Sequence, residues 1–178
     1  MNHNDNNHVY VNKVLNRFDH YIKSTNNKAA FIIAFNTFVL SSLILRATQI
    51  LNLFKSNDFM KIIVISAFFA IIIGVFNSLK NVFKAVMPYL KSGYETEDNN
   101  SLLFFGSIAD MNKKEFINKI NEVSHKEMNE DFIIQIHTLA KALNMKYKYI
   151  RKSLFWIRKF VLIPLLLILF LAVLSYSL

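Results

Sequence analysis

Apolar residues in this chain gather into long unbroken runs instead of recurring at a regular spacing. Ala29 to Leu45 is 17 residues without a charge, Ile62 to Leu79 is 18, and Phe160 to Leu178 is 19. A helix needs about 20 apolar residues to cross a hydrocarbon core about 30 Å thick. The runs therefore predict three transmembrane helices. The first is the most polar, with Asn36 and Thr37 in its middle and Ser41-Ser42 following, and a buried core helix is the alternative reading for it. Asn36 and Thr37 would be costly facing lipid. They are expected to face another helix, in the same chain or a second one, or to line a path through an oligomer.

Outside the runs, two segments carry helical spacing. Val11, Val14, Leu15, Phe18 and Ile22 predict an amphipathic helix leading toward the first span. Its apolar face must lie on the membrane surface or against a neighbouring domain. The Asn- and His-rich stretch before it, Met1 to His8, is expected to be disordered. Phe132, Ile136, Leu139, Leu143, Tyr147, Ile150 and Leu154 predict a long helix with one buried stripe, starting near Asn129 or Glu130. No breaker follows until Pro164, already inside the last run, so this helix should continue into the membrane. Glu130 and Asp131 at its start suit the helix dipole, as do Lys146, Lys148, Arg151, Lys152, Arg158 and Lys159 toward the membrane, where they would meet an anionic leaflet.

Signals between the second run and the long helix are shorter. Asn81 to Leu90 extends the second span until Pro88 and Ser92-Gly93 break it. Glu95 to Asn100 reads as an acidic, amide-rich loop, and Leu102 to Phe105 as a short extended segment ended by Gly106. Asn112 with Glu115 three residues later reads as a capping box. The helix it opens has Phe116, Ile117, Ile120 and Val123 as its apolar face. The fold class expected is an all-α membrane protein, with three transmembrane helices and a small, mostly helical cytoplasmic domain between the second and third. Its parts are a tail and amphipathic helix (1–28), two spans with a short external connection (29–79), a sensor-like helical domain (80–159) and the third span (160–178).

Charge adds orientation to this picture. Lys and Arg number 21 against 12 Asp and Glu, a net charge of +9. Four of the basic residues precede the first span, three lie between the first two, and fourteen fall from Lys80 to Lys159. Three spans put the N-terminus and the long segment on one side, and the positive-inside rule makes that side the cytoplasm. The charge is then a topology signal, and no nucleic-acid partner is expected. A long polar stretch before the first run and no convincing cleavage site after it argue against a signal peptide. The chain has no cysteine, which fits a protein of the bacterial inner membrane.

Catalysis needs converging acid, base or nucleophile groups, or a metal. The five histidines, His3, His8, His20, His125 and His137, form no H-E-x-x-H pair, and without cysteine a zinc site would need scattered ligands. His137, beside the apolar stripe, reads as a hydrogen-bonded structural residue. Asp19-His20 reverses the order of a phosphohydrolase pair. Gly74, Gly93 and Gly106 are isolated, so no phosphate loop exists, and no G-x-S-x-G elbow is present. Neither an enzyme, a metal nor a cofactor is expected. Binding is less constrained. A small anionic nucleotide needs a ring face for its base and donors for its phosphate. Phe104 and Phe105 offer the first, Gly106 and Ser107 with the helix start at Asn112 offer the second, and Lys141 and Lys146 supply cations. The alternative is that Phe104, Phe105 and Ile108 plug a small core, with Gly106 making a turn.

Three stretches together are similar to a known family. "FIIAFNTFVLSSLI" after Asn27-Lys28-Ala29 resembles its first span, "FFGSIADMNKKEF" its aromatic-Phe-Gly-x-Ile-Ala motif, and "DFIIQIHTLAKALNMKYKYIRKS" its Gln-Ile-His-x-Leu-Ala helix with a following Lys146-Tyr147 pair. The family is the transmembrane effector of Pycsar systems (PycTM-like), and the resemblance spans Thr25 to Trp156. It implies a role in antiphage defence beside a partner uridylate or cytidylate cyclase. Such effectors respond to cyclic UMP or cyclic CMP and impair the inner membrane, stopping growth before phage are released. Relatives of the motif occur fused to phosphohydrolase domains, and nothing like that domain is recognisable here. The resemblance carries over no ligand residues, so the binding candidates rest on physical inference alone. It implies membrane lipid as the target, and a homo-oligomer is expected. Two rival functions stand beside it: a membrane-anchored adaptor for a partner protein, and a constitutive holin-like pore.

Overall fold

The computed structural model describes residues 3–87 and 101–177, with side chains for 10, 11, 13–87 and 101–175. Among the described residues every regular element is helical and none is a strand. The order is α1 (His3–Leu53), α2 (Asp58–Val86), α3 (Phe105–Asp110), α4 (Lys113–Glu122) and α5 (His125–Ile157). A π segment, Arg158–Leu162, then leads directly into α6 (Ile163–Ser177). Among the described residues, three helical stretches are long and apolar enough to cross a membrane: Lys13–Leu53, Asp58–Val86 and His125–Ser175.

Several boundaries differ from expectation. Helix α1 is one rod, and it already includes His3 to His8, which the polar composition suggested would be disordered. Helix α5 begins at His125, four to five residues before the expected start. Its cap is the reciprocal Ser124–Glu127 pair. The Ser124 hydroxyl accepts from the Glu127 N–H at 3.2 Å, and the Glu127 carboxylate accepts from the Ser124 N–H at 2.8 Å. Asn112 does cap α4, its side chain accepting from the Glu115 N–H at 2.9 Å. Helix α2 ends where proline dictates. Met87, immediately before Pro88, has φ −52° and ψ 136°, outside the helical region that a following pyrrolidine ring disfavours. The expected breakers Pro88 and Ser92-Gly93 and the acidic loop Glu95 to Asn100 lie outside the described residues.

The chain packs as two compact units. One comprises Met1–Lys23 and Pro88–Met145, the other Ser24–Met87 and Lys146–Leu178. The second unit is a three-helix bundle. Ala29, Ile32, Val39 and Leu43 of α1 meet Val64, Ala67, Ile71, Val75 and Val82 of α2, together with Ile150, Ile157, Val161, Ile168 and Leu171. With Ser153 and Pro164, which are also buried, those last five recur at threes and fours through the π segment, as one helical face requires. Leu154, placed in the stripe from sequence, is exposed, and Ser153 occupies the buried position beside it. The outer surface of this unit is also apolar, with Phe31, Phe38, Phe69, Phe76, Leu166 and Phe170 exposed. A bundle that is apolar inside and outside is built for hydrocarbon. The protein is a multi-pass membrane protein.

In the first unit, α4 buries no residue fully. Ile117 and Ile120 of its expected apolar face are exposed, while Phe116 and Val123 are half-buried.

Candidate functional site

The two units each hold one polar centre. In the first, the chain enters α3 through Ser101, which is fully buried. Its hydroxyl donates to the Asp131 carboxylate at 3.1 Å and accepts from the N–H groups of Leu103 (3.2 Å) and Phe104 (3.1 Å). The Gln135 amide donates to the same hydroxyl at 3.0 Å, and Asp131 also accepts from the Leu102 N–H at 2.9 Å. Asp131 and Gln135 stand four apart on α5, so both face one way and clasp the start of the segment. This clasp explains why Leu102 to Phe105 is not the extended piece expected. Ser101 turns the chain by satisfying two successive N–H groups, and α3 starts at Phe105 with Gly106 inside it.

Segment 104–107 then divides. The Phe104 and Phe105 rings lie 4.9 Å apart at 47°. Phe105 is 63% exposed, so it does not act as a core plug. Phe104 covers Gly106, where an added Cβ would lie 2.5 Å from the ring edge. Ser107 points inward, 2% exposed, and its hydroxyl is buried without a hydrogen-bond partner. Lys141, on the α5 part of the same unit, is exposed. Lys146 belongs to the other unit, where its ammonium donates to the Ala85 carbonyl at 2.7 Å and to the Asn26 side chain at 3.4 Å. There it satisfies a carbonyl in the last turn of α2. Phe104, Phe105 and Gly106 are thus brought together, while Ser107 is buried and Lys146 is occupied elsewhere.

The second centre lies inside the bundle. Asn36 is 0% exposed, and its amide donates to the Ser78 hydroxyl at 2.8 Å and to the Ile32 carbonyl at 2.9 Å. Ser78 and Ser153 share a hydrogen bond of 2.7 Å, so one residue from each helix joins a buried triad. The Asn36 Oδ1 atom is buried without a partner. Thr37 does not share this role. It is exposed and donates back to the Ile33 carbonyl at 3.0 Å, the local bond that makes a hydroxyl tolerable on an apolar surface. Interhelical hydrogen bonds in membranes are worth about 0.6–2 kcal/mol each. One unsatisfied buried acceptor costs about 1–3 kcal/mol. The triad therefore gives the bundle little net stability.

Close packing surrounds it. A Cβ on Gly74 would lie 2.7 Å from Phe160 Cβ and 3.0 Å from its carbonyl carbon and oxygen. Helix α2 thus touches the π segment backbone to backbone, which only glycine permits. Pro164 lies just beyond, and the loosened ladder of the π segment accommodates a residue that has no N–H to donate.

The family model of the Pycsar effector protein domain, PycTM, matches residues 10–176. This chain belongs to the PycTM family of Pycsar effectors. Pycsar effector protein SaPycTM of Staphylococcus aureus is 29% identical over 143 residues, which cover 80% of this chain and 82% of that protein. Pycsar effector protein EcPycTM of Escherichia coli is 26% identical over 150 residues, 82% of this chain and 80% of that one. No solved structure matches. As a PycTM protein the chain is an effector of antiphage defence. The three stretches that carry the family resemblance also carry part of both polar centres, with Ser78 and Ser101 lying outside them. Asn36 lies in the first, Phe104 to Ser107 in the second, and Asp131, Gln135 and Ser153 in the third. Among the residues of the two centres, Ser78, Ser101, Asp131, Gln135 and Ser153 were not sequence candidates. Gln135 was visible only as the opening residue of the Gln-Ile-His-x-Leu-Ala motif.

Proposed function

We propose that this PycTM chain responds to a cyclic pyrimidine nucleotide, cyclic UMP or cyclic CMP, made by a partner cyclase. The response impairs the bacterial inner membrane and arrests or kills the infected cell. Membership of the family over residues 10–176 is the observation that carries this reading, and the three membrane-spanning helices support it. The distribution of basic residues supports a cytoplasmic N-terminus and a cytoplasmic segment 80–159, where a nucleotide signal would arise. The exposed Phe105 ring is the base-stacking candidate, with Lys141 of the same unit as the phosphate-partner candidate. Ser107 takes part only after α3 shifts, since its hydroxyl is buried. Such a shift reaches α5 through the Ser101–Asp131–Gln135 clasp, and α5 leads by way of the π segment into the third apolar run. A ligand that prefers one of two packings moves their populations by its difference in affinity. The working form is a homo-oligomer.

The test titrates the purified full chain with cyclic UMP and cyclic CMP by calorimetry. In parallel, membrane potential is followed in cells that carry the chain with or without an active cyclase. Saturable binding of one nucleotide and cyclase-dependent depolarisation are expected. Depolarisation without a cyclase would identify a constitutive pore. An intact potential with a co-purifying protein would identify an adaptor. Either outcome replaces the proposal.

A further inference from the structure

We infer that Asn36, Ser78 and Ser153 line a path for water and small monovalent ions when the membrane unit opens. This rests on the reading that the chain impairs the membrane. In the closed bundle the three side chains satisfy one another incompletely, since the Asn36 amide and both hydroxyls are paired while Asn36 Oδ1 is not. A buried acceptor without a partner is rare in a folded protein and calls for a reason. Water completes the set. It donates to Asn36 Oδ1, and the two hydroxyls turn their remaining lone pairs toward it. Apolar side chains lining the same level would give entering water nothing in exchange.

The surrounding helices have the means to part at this level. Gly74 stands one turn before Ser78 on α2 and, having no side chain of its own, lets α2 close on the Cβ and backbone of Phe160. The π segment Arg158–Leu162 begins five residues after Ser153. Wide turns of this kind inside long helices mark functional sites, because the loosened ladder has more than one way to close. Helix α2 and the π segment can therefore slide or separate without uncoupling a large interlocked side chain. The lining is uncharged, three oxygen-bearing side chains from three helices. It suits water and monovalent ions of either sign, in contrast to the charged rings that select one sign.

The sequence contains no cysteine, so single substitutions can be probed without a background. Ser78→Cys and Ser153→Cys change little volume, and both positions are 0% exposed in the closed bundle. Ile71→Cys, equally buried but among apolar neighbours on α2, serves as the reference. Full-length variants in proteoliposomes receive a membrane-impermeant, charged thiol reagent before and after cyclic UMP or cyclic CMP, while ion leak is recorded. The expected result is a rise on the order of tenfold in modification at 78 and 153 on activation. Ile71→Cys remains protected, and modification at 78 or 153 blocks the leak. Asn36→Asp supplies a second readout, in which the cation-to-anion permeability ratio rises on the order of threefold. Leak with both cysteines still protected and selectivity unchanged overturns this inference alone. Equal modification of Ile71→Cys overturns it too, because the bundle then dissolves instead of opening a path. A wild-type chain that gives no leak with either nucleotide overturns the parent reading and this one together.

Discussion

Replacing Gly74 with alanine adds one carbon where α2 closes on the π segment. In most exposed helices this exchange is favourable by about 1 kcal/mol, because glycine loses more backbone freedom on folding. Here the new carbon would lie 2.7 Å from Phe160 Cβ and 3.0 Å from that residue's carbonyl carbon and oxygen. These atoms belong to the backbone or are fixed to it, so no rotamer change clears them. The helices must move apart, and overpacking of this kind costs typically about 1–3 kcal/mol. With the contact against backbone the upper half of that range applies. The net result is a loss of about 1–2 kcal/mol after the propensity gain. Equilibrium unfolding in mixed micelles measures it. Trp156, the only tryptophan, stacks 4.7 Å from the Phe160 ring and reports on this crossing by fluorescence. Gly106→Ala supplies the contrast. Its Cβ would meet the Phe104 ring edge at 2.5 Å, and that ring can swing away. Its loss should be the smaller of the two. If Gly74→Ala is as stable as wild type or more so, with Trp156 emission unchanged, the backbone contact does not constrain the bundle and the reasoning fails.

Three further outcomes follow from the polar contacts. Asp131→Ala leaves the Ser101 hydroxyl and the Leu102 N–H without their acceptor, at a cost of about 1–3 kcal/mol. Hydrogen exchange across 101–110 should accelerate while α6 keeps its protection. Ser124→Ala removes the cap of α5, a loss of about 0.5–2 kcal/mol, read as faster exchange confined to the first turn from His125. Lys146→Met keeps most of the stem but leaves the Ala85 carbonyl without its ammonium donor. A loss on the order of 1–2 kcal/mol is expected for a half-buried charged hydrogen bond. A Lys146→Arg variant that restores the donor should recover part of it.

Where the sequence was informative, a local pattern carried the information. Long apolar runs specify spanning helices because length and polarity are all the bilayer tests, and Asn112 with Glu115 specifies a cap because both partners lie within four residues. The same logic holds at Ser124 and Glu127. It was outweighed there by Glu130 and Asp131, whose negative charge also suits a helix start. Leu154 was placed in the buried stripe because it follows Ile150 by four residues, a spacing that Ser153 at three fits equally well. Its partner Ser78, 75 positions away, is what makes burial affordable. The clasp was hidden for the same reason, since Ser101 and Asp131 are 30 residues apart and nothing local to either names the other. Asn36 could be assigned to a helix contact by the cost of facing lipid, but that its Oδ1 finds no donor is a fact of packing alone.

The hydrogen bonds of the bundle also fix heights. Asn36, Ser78 and Ser153 mark one level, and Asn26, Ala85 and Lys146 a second, nearer the start of α1. Measured from the first level, the run of α1 begins seven residues toward the second level, at Ala29, and that of α2 ends one residue that way, at Leu79. The run of the third helix begins seven residues the opposite way, at Phe160. At about 1.5 Å per residue, the apolar edges are spread over about 20 Å. Helix axes stand only about 8–10 Å apart, so levelling those edges would take a tilt near 60°, beyond the roughly 0–40° that spanning helices adopt. The misfit passes to the lipid. Exposed Arg158 and Lys159 draw headgroups to the level at which α1, between Phe38 and Leu45, demands acyl chain. Around this protein the bilayer edge has to run at different depths on different sides.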